Sequence, residues 1–383
     1  MNITLFFEYL KKENLEKDPF FVPYYLGKKM GYDVTILYSR FEDNKDMPPE
    51  YKGVKLIPFK VYGSWQTPHW IRYVNIYNYI RKNAKKINVF MRFFEGRKSE
   101  IAVMLYKLFN PCGKVYVKLD IDPFSIPTDK IAIKGNFLKR YLECKWQKTY
   151  IKRLDVVSCE TTEAYIRMKK NGIARYQFGD KLVVVPNGID EEGLERMGIG
   201  LSPYSFKENI FITVGRLGTE QKNTEMLLQA LEHVNFKNWQ FYLIGNIASE
   251  FQKKIDDFFE RCPDKINNVR FVGPIYSRQQ LYAYYNKSKS FVLTSRFESF
   301  AIVFAEAKRF SNYIVSTPVG AAYDIVENDK YGKIISHQAV WQLVETLQDI
   351  VDGRIDTNVY GGFDYKTLSW EAQLKVVIER LIK

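Results

Sequence analysis

Short apolar runs and longer helix-periodic segments alternate without a break between residues 210 and 351, and no other property of the chain limits its fold as sharply. Strand-like runs at 210–214, 240–244, 269–272, 290–293, 313–316 and 333–335 are separated by helical patterns at 224–234, 250–261, 278–286, 301–310, 321–327 and 339–351. Neighbouring parallel strands need a crossover, and a helix is the usual one, so this order predicts a doubly wound, mostly parallel α/β sheet. The first half follows the same pattern less regularly, with strands at 3–7, 33–37, 114–119 and 156–159 and longer loops between them. A β-branched run at 182–185 leads into Pro186-Asn187-Gly188, a turn sequence that ends a strand. A chain of 383 residues has room for two domains, expected at 1–186 and 187–362. Residues 363–383, with Trp370, Leu374, Val377, Ile378 and Leu381 at helical spacing, are expected to form an amphipathic helix.

Charge is divided unevenly between the halves. Residues 1–187 hold 34 Lys and Arg against 19 Asp and Glu, and the rest hold 23 against 25, so the whole excess of +13 belongs to the first half. A basic half suits nucleic acid, an anionic membrane surface or an anionic substrate, whereas a merely solubilising surface gives no reason to favour one half. The densest stretch has Lys130, Lys134, Lys139, Arg140, Lys145, Lys148, Lys152 and Arg153 against one acid, Glu143. Phe137, Leu138, Tyr141, Leu142 and Tyr150 recur there at helical spacing, as they would in a helix lying on an anionic membrane or in one packed on its own sheet. Residues 70–86 form a second aromatic and basic stretch. No nucleic-acid recognition motif accompanies the charge, so nucleic acid is not an expected partner. Cys112, Cys144, Cys159 and Cys262 are widely spaced, which fits a reducing cytoplasm rather than a disulfide framework or a zinc site. The first residues read as a strand rather than a signal peptide, and no run approaches the ~20 apolar residues that span a bilayer.

The chemistry concentrates where strands of the second half pass into helices. Between Ser295 and Glu306 two carboxylates, Glu298 and Glu306, bracket a short loop that opens an apolar helix. Such a junction turns backbone N–H groups and the positive end of a helix dipole toward the carboxyl edge of the sheet, where open α/β sheets bind ligands. Carboxylates repel phosphate, so phosphate is expected on the amides and hydroxyl groups on the acids. Gly215-Arg216-Leu217-Gly218 and Lys222-Asn223-Thr224 form a similar junction after the strand at 210–214. There glycines permit close approach to a ligand, and Asn223 or Thr224 can cap the helix. Arg216 and Lys222 would bring two positive charges to a diphosphate, especially one departing with added charge, although a solvated loop explains the same residues. Gly245 and Gly273 mark two further strand ends, where backbone groups could hold a base or ribose, although plain turn chemistry accounts better for each by itself.

Taken in order, Pro186-Asn187-Gly188-Ile189-Asp190, Gly215-Arg216-Leu217 with Lys222, Gly245, Gly273, Glu298 and Glu306 with seven residues between them, and Thr317-Pro318-Val319-Gly320 resemble the family 4 glycosyltransferases. The resemblance covers the second half closely and the first half as a domain pattern, with Leu154-Asp155-Val156-Val157-Ser158 the nearest local match. It implies the GT-B fold, two Rossmann-like doubly wound domains facing across a cleft, and a C-terminal helix that returns to the N-terminal domain. It also implies a retaining enzyme that takes a sugar from a nucleotide diphosphate donor, UDP-sugar being the expectation. By that resemblance Arg216 and Lys222 hold the diphosphate, Gly215 and the amides of Phe300, Ala301 and Ile302 face the phosphates, Ile275 flanks the base, Glu306 binds the ribose and Glu298 binds the transferred sugar. The acceptor it implies, together with the charge asymmetry, is a glycan or lipid-linked glycan at the cytoplasmic membrane face.

Three departures stand out. Ala301 occupies the place of the family's Gly, which leaves the amide in place. The Gly-Gly turn after the first strand is replaced by residues 11–20, including Lys17-Asp18-Pro19. The His that ends an N-terminal strand in the family is absent, and Asp120 of Asp120-Ile121-Asp122 falls about where it belongs. An Asp-x-Asp can hold a metal on a sugar diphosphate in another fold. With Arg216 and Lys222 available as cations, neither a metal nor a cofactor is expected, and Asp120 is read as a hydroxyl-binding or orienting residue. The missing His also leaves room for a non-catalytic partner subunit of the same fold that binds a glycan, a peptide or another enzyme.

Overall fold

The computed structural model describes residues 1–64, 66–127, 136–173 and 176–382. Lys130 and Lys134 of the basic stretch therefore lie outside the described residues, as does Lys383. The chain forms two compact units, Met1–Gly188 with Ser369–Lys383, and Ile189–Leu368.

The first unit is built on an eight-stranded sheet: β1 (Asn2–Phe6), β2 (Asp33–Ser39), β3 (Glu50–Tyr51), β4 (Val54–Phe59), β5 (Val89–Phe93), β6 (Lys114–Lys118), β7 (Val156–Cys159) and β8 (Leu182–Val184). Its order is β3-β4-β2-β1-β5-β6-β7-β8, and every pairing is parallel except β3 with β4. One buried cluster runs from Ile3, Leu5 and Phe20 to Trp370 and Leu374, and another gathers Phe90, Tyr106, Val117 and Tyr150. Apolar residues on both sides of the strands are what a parallel sheet covered by helices requires.

β4 and β5 are absent from the sequence reading. Pro58 and Lys55 interrupt the apolar run of β4. In β5, Arg92 is buried, donates to the Phe6 carbonyl and to Ser99 Oγ (3.0 Å), and lies 4.0 Å from the centre of the Phe6 ring. A paired charge inside a strand breaks the pattern that marks one.

The second unit has six strands, β9 (Glu208–Val214), β10 (Gln240–Ile244), β11 (Val269–Gly273), β12 (Ser288–Leu293), β13 (Tyr313–Ser316) and β14 (Gly332–Ile334). Their order is β11-β10-β9-β12-β13-β14, all parallel. The order reverses between β9 and β12, and that reversal is the switch point at which doubly wound sheets open a crevice at their carboxyl edge.

The tail forms two short helices, Trp370–Gln373 and Lys375–Ile382, rather than one. Trp370, Leu374, Val377 and Leu381 are buried in the first unit, with the Trp370 ring 6.3 Å from that of Phe21. A Cβ on Gly188 would lie 2.6 Å from the Trp370 backbone nitrogen, so glycine is required where the two chain crossings meet. The units divide at 188 and 368, later than the 186 and 362 read from the sequence. Tyr365 still belongs to the second unit, through its hydroxyl on Ser311 Oγ (2.7 Å) and its ring beside Phe363.

Trp370→Ala empties the largest buried side chain of that seam, and large-to-small core changes of this kind cost about 3–5 kcal/mol. Urea unfolding followed domain by domain should show the first unit losing this much and the second unit unchanged; equal stability to wild type would show that the tail is not part of the first core.

Candidate active site

Past the end of β9 the backbone is tied to its neighbours. Gly215 N–H donates to the Ile244 carbonyl (3.0 Å), Leu217 N–H to that of Asn246 (2.8 Å), and Gly245 N–H to that of Gly273 (2.9 Å). Gly245 has φ 142, and a Cβ there would lie 1.7 Å from the Gly215 carbonyl oxygen, so only glycine fits. The loop then turns into the helix Thr224–His233. The capping expected of Asn223 or Thr224 does not occur. Asn223 takes a left-handed conformation (φ 48) and accepts from Arg296 (3.2 Å), while Thr224 Oγ1 accepts from Gly218 N–H (2.9 Å).

The loop after β12 is laced to this one. Arg296 N–H donates to the Gln221 carbonyl (2.8 Å), and Thr294 Oγ1 donates to those of Lys222 and Asn223 (both 3.2 Å). Thr317-Pro318-Val319-Gly320 braces it from the other side: Thr317 Oγ1 donates to the Ser295 carbonyl (2.5 Å) and Ala321 N–H to that of Phe300 (3.1 Å). Gly320 has φ 51, and a Cβ on it would sit 2.7 Å from the Phe300 oxygen.

These ties bring Lys222 and Glu298 together. Lys222 Nζ lies 2.5 Å from Glu298 Oε1, with side chains 15% and 9% exposed. Ser295 Oγ donates to the same oxygen (2.8 Å), and Gln221 Nε2 to Oε2 (3.2 Å). Arg216, itself exposed, donates to Gln221 Oε1 (2.7 Å), so one amide links Arg216 to the acid that Lys222 meets directly. Gln221 and Ser295 carried no motif; their signal was only adjacency to Lys222 and Glu298.

Glu306 is 3% exposed on the helix Ile302–Arg309. Arg278 donates to its Oε1 and Tyr285 to its Oε2 (3.0 Å), both from the helix Arg278–Lys287. Burial and the Glu306 charge push the Tyr285 phenol well above its usual range. Arg278 was missed, although it opens the helix that follows β11. Ile275, in the loop between, is half-buried against the second unit's core.

Ala301 precedes the helix Ile302–Arg309 at φ 67 and ψ 85, and no side chain caps that helix. Its first amides therefore have no partner within the helix and can meet an anion. The left-handed conformation costs an L-residue about 1–2 kcal/mol, so keeping the amide at this position carries strain that glycine would avoid.

In the first unit Asp120 follows β6, half-buried. Two residues earlier Lys118 is fully buried, 3.0 Å from Asp18 Oδ2 and paired with Glu160. Burial pushes the carboxyls of both Asp18 and Glu160 up, Glu160 to about 8. Asp18 comes from the segment that replaces the Gly-Gly turn, which gives that departure a structural role. Asp122 is engaged locally: Oδ1 accepts from Phe124 N–H (3.0 Å) and Oδ2 from Ser125 Oγ (2.7 Å), closing a one-turn helix.

Residues 204–361 match the family of glycosyl transferases group 1. An uncharacterized 41.2 kDa protein in the cps region of Klebsiella pneumoniae is 25% identical over 215 residues, which are 53% of this chain and 56% of that protein. The uncharacterized glycosyltransferase MJ1178 of Methanocaldococcus jannaschii is 25% identical over 88% of this chain and 85% of its own length. Among solved structures, the lipopolysaccharide outer core galactosyltransferase WaaB in apo form superposes over 100% of this chain and 99% of its own with a TM-score of 0.70 at 16% identity. Anabaena Alr3699/HepE in complex with UDP covers 99% and 95% with a TM-score of 0.61 at 14% identity. Most of the second unit is thus similar to a group 1 glycosyl transferase domain, and the chain has the GT-B fold.

Ala301→Gly should raise stability by about 1 kcal/mol, the relief of the left-handed cost less the greater freedom of glycine in the unfolded chain. Chemical denaturation measures it; a loss of stability would mean that the Ala301 side chain contributes more packing than its strain removes.

Proposed function

We propose that the protein is a retaining, metal-independent glycosyltransferase that moves a hexose from a UDP-sugar to a glycan or lipid-linked acceptor in the synthesis of a cell-surface polysaccharide. One observation carries this reading: Lys222 and Glu298 meet at the switch point of the second sheet, with Arg216 joined to them through Gln221 and an uncapped helix alongside. Solved relatives of the same fold are described in complex with UDP and with UDP-glucose, which favours uracil as the base.

In this proposal Arg216, Lys222 and the amides of Phe300, Ala301 and Ile302 hold the diphosphate, with Gly215 allowing it close to the backbone. Ile275 flanks the base. Glu306, oriented by Arg278 and Tyr285, accepts from the ribose hydroxyls through lone pairs those partners leave open. Without ligand, Glu298 neutralises Lys222. A bound diphosphate competes for that ammonium and releases Glu298 toward the hydroxyls of the transferred sugar. The bond from the sugar's anomeric carbon to the phosphate oxygen then breaks, its electron pair leaving with the diphosphate. The acceptor hydroxyl oxygen bonds to the same face of that carbon and passes its proton to the departing phosphate oxygen. No histidine base is needed on this route, and Asp120 serves to orient a hydroxyl.

The helix Phe137–Arg153 supports an anionic membrane surface at the cytoplasmic face as the place where the acceptor is met. Phe137, Leu138, Tyr141 and Leu142 are exposed, at 78%, 62%, 56% and 55%, beside Lys139, Arg140 and Lys145. The second half of the helix packs on the first unit through Tyr150, as the other reading of the pattern has it. The stretch at 70–86 differs, because Tyr73, Ile76, Tyr77 and Ile80 are buried and mainly Trp70 stands out. No helix among the described residues is long and apolar enough to cross a membrane.

Glu298→Gln removes the anion that competes with the diphosphate. It should bind UDP up to about tenfold more tightly while turnover falls about 100-fold. Calorimetry and a coupled UDP-release assay read both, and weaker UDP binding by this variant would contradict the exchange. Phe137→Ser with Leu138→Ser should lower binding to phosphatidylglycerol-containing vesicles at low salt by about 100-fold or more, as loss of two apolar side chains buried in the bilayer requires. Unchanged vesicle binding would remove this helix from the membrane reading.

A further inference from the structure

Beyond β13, where the second sheet ends at β14, lies a pocket of about 490 Å³. That volume is within the range of small-molecule sites. Val326 and Ile335, both buried, and Pro318 supply apolar walls. Tyr323, on the short helix Ala322–Val326, is 57% exposed at the same pocket, and Asn328 and Asp329 line it from the loop that follows. Pro318 also belongs to the segment 317–321, which braces the Ser295 and Phe300 carbonyls, so the pocket abuts the candidate active site.

The loop carrying the two polar residues is folded against its own backbone preference. A helix commonly ends on one left-handed residue, usually glycine. Here three non-glycine residues follow in succession, Glu327 (φ 52), Asn328 (φ 54) and Asp329 (φ 64). Asn and Asp visit that region more readily than most side chains, and Glu does not. Lys308 holds the arrangement from inside. It is 2% exposed and donates to the Ile325 carbonyl (2.8 Å) and to Glu327 Oε1 (2.5 Å), which pins the first residue of the loop. Asn328 and Asp329, both exposed, are thereby kept at the pocket wall. Strain retained in this way marks a site whose geometry is used.

We propose that this pocket is a second saccharide site, which holds one neutral ring of the glycan apart from the point of transfer. Tyr323 lies against the C–H face of the ring, Val326 and Ile335 form the apolar floor, and Asn328 and Asp329 take hydroxyl groups. An amide donates and accepts while a carboxylate accepts on two oxygens, which suits neighbouring hydroxyls. Asp329 repels phosphate, so a neutral ring is taken in preference to a phosphosugar. The choice of a saccharide rests on the glycosyltransferase reading. In that reading Glu298 and Glu306 already receive the hydroxyls of the donor, which leaves this pocket to the glycan. A glycan anchored here stays at high local concentration beside the nucleotide crevice.

The test uses the full-length protein and the variants Tyr323→Ala, Asn328→Gly and Asp329→Asn. Tyr323 is exposed and glycine suits φ 54, so the melting temperatures should stay close to that of wild type. Methyl glycosides of glucose, galactose, mannose and N-acetylglucosamine are titrated by saturation-transfer NMR, with glucose 1-phosphate as the anionic comparison. At least one neutral glycoside should bind wild type, with saturation strongest at its ring C–H protons. Tyr323→Ala should weaken that glycoside about tenfold, as loss of a stacked aromatic ring produces. Asn328→Gly should weaken it about three- to tenfold through one or two lost hydrogen bonds. Asp329→Asn still accepts, so it should stay within about threefold of wild type for the neutral ring while binding glucose 1-phosphate better. The pocket assignment is overturned if none of the four glycosides binds wild type, if Tyr323→Ala and Asn328→Gly leave the affinity unchanged, or if wild type prefers glucose 1-phosphate. UDP binding by wild type is read by calorimetry on the same samples. A protein that binds the glycoside through Tyr323 but not UDP contradicts the nucleotide reading alone, and one that binds UDP but no glycoside contradicts the pocket alone.

Discussion

β9 and β12 send the chain to opposite sides of one sheet, and the crevice this leaves at their carboxyl ends organises everything around it. Two loops meet there, and a backbone hydrogen bond from Arg296 to Gln221 fixes their spacing before any side chain is considered. Lys222 and Glu298 then pair across the junction. A shielded ion pair is a poor source of stability, because removing both charges from water offsets their attraction. Its position explains it better: the pair holds a cation and an acid ready, side by side, where a ligand carrying both phosphate and hydroxyl groups would lie.

The supporting turns have no chemistry of their own and are the least tolerant of change. Gly245 lies against the Gly215 carbonyl, Gly320 against that of Phe300, and Thr317 holds the Ser295 carbonyl. The first unit has the same architecture with a different edge. Its helix Phe137–Arg153 is basic, yet Glu8, Asp18, Glu95, Asp120 and Glu160 gather where its strands end, answered by Lys98 and the buried Lys118. In the proposed function, the second unit holds the phosphates and Asp120 of the first orients a hydroxyl.

Much of the second unit was legible because its strands are buried on both faces. Residues 240–244 and 313–316 are strands as read, and Glu298 and Glu306 stand at the junction where the pattern put them. What was hidden depends on partners distant in sequence. Arg92 lies inside an unread strand because Phe6 receives it, and Lys118, in a strand that was read, is buried because Asp18 and Glu160 receive it; nothing local announces these partners. Arg278 and Tyr285 reach Glu306 across a helix pair, and Gln221 links Arg216 to Glu298. The exposure of Phe137 and Leu138 was likewise open, since helical spacing gives the same pattern for a packed face and for a face left to another surface.

The central claim is that a nucleotide diphosphate sits on the crevice between β9 and β12. Hydrogen–deuterium exchange of the whole chain with and without UDP tests its location directly. The account predicts slower exchange at the backbone amides of residues 215–223 and 298–303, with the eight-stranded sheet unaffected. Protection confined to the first unit, or none at these two loops at saturating UDP, would contradict it.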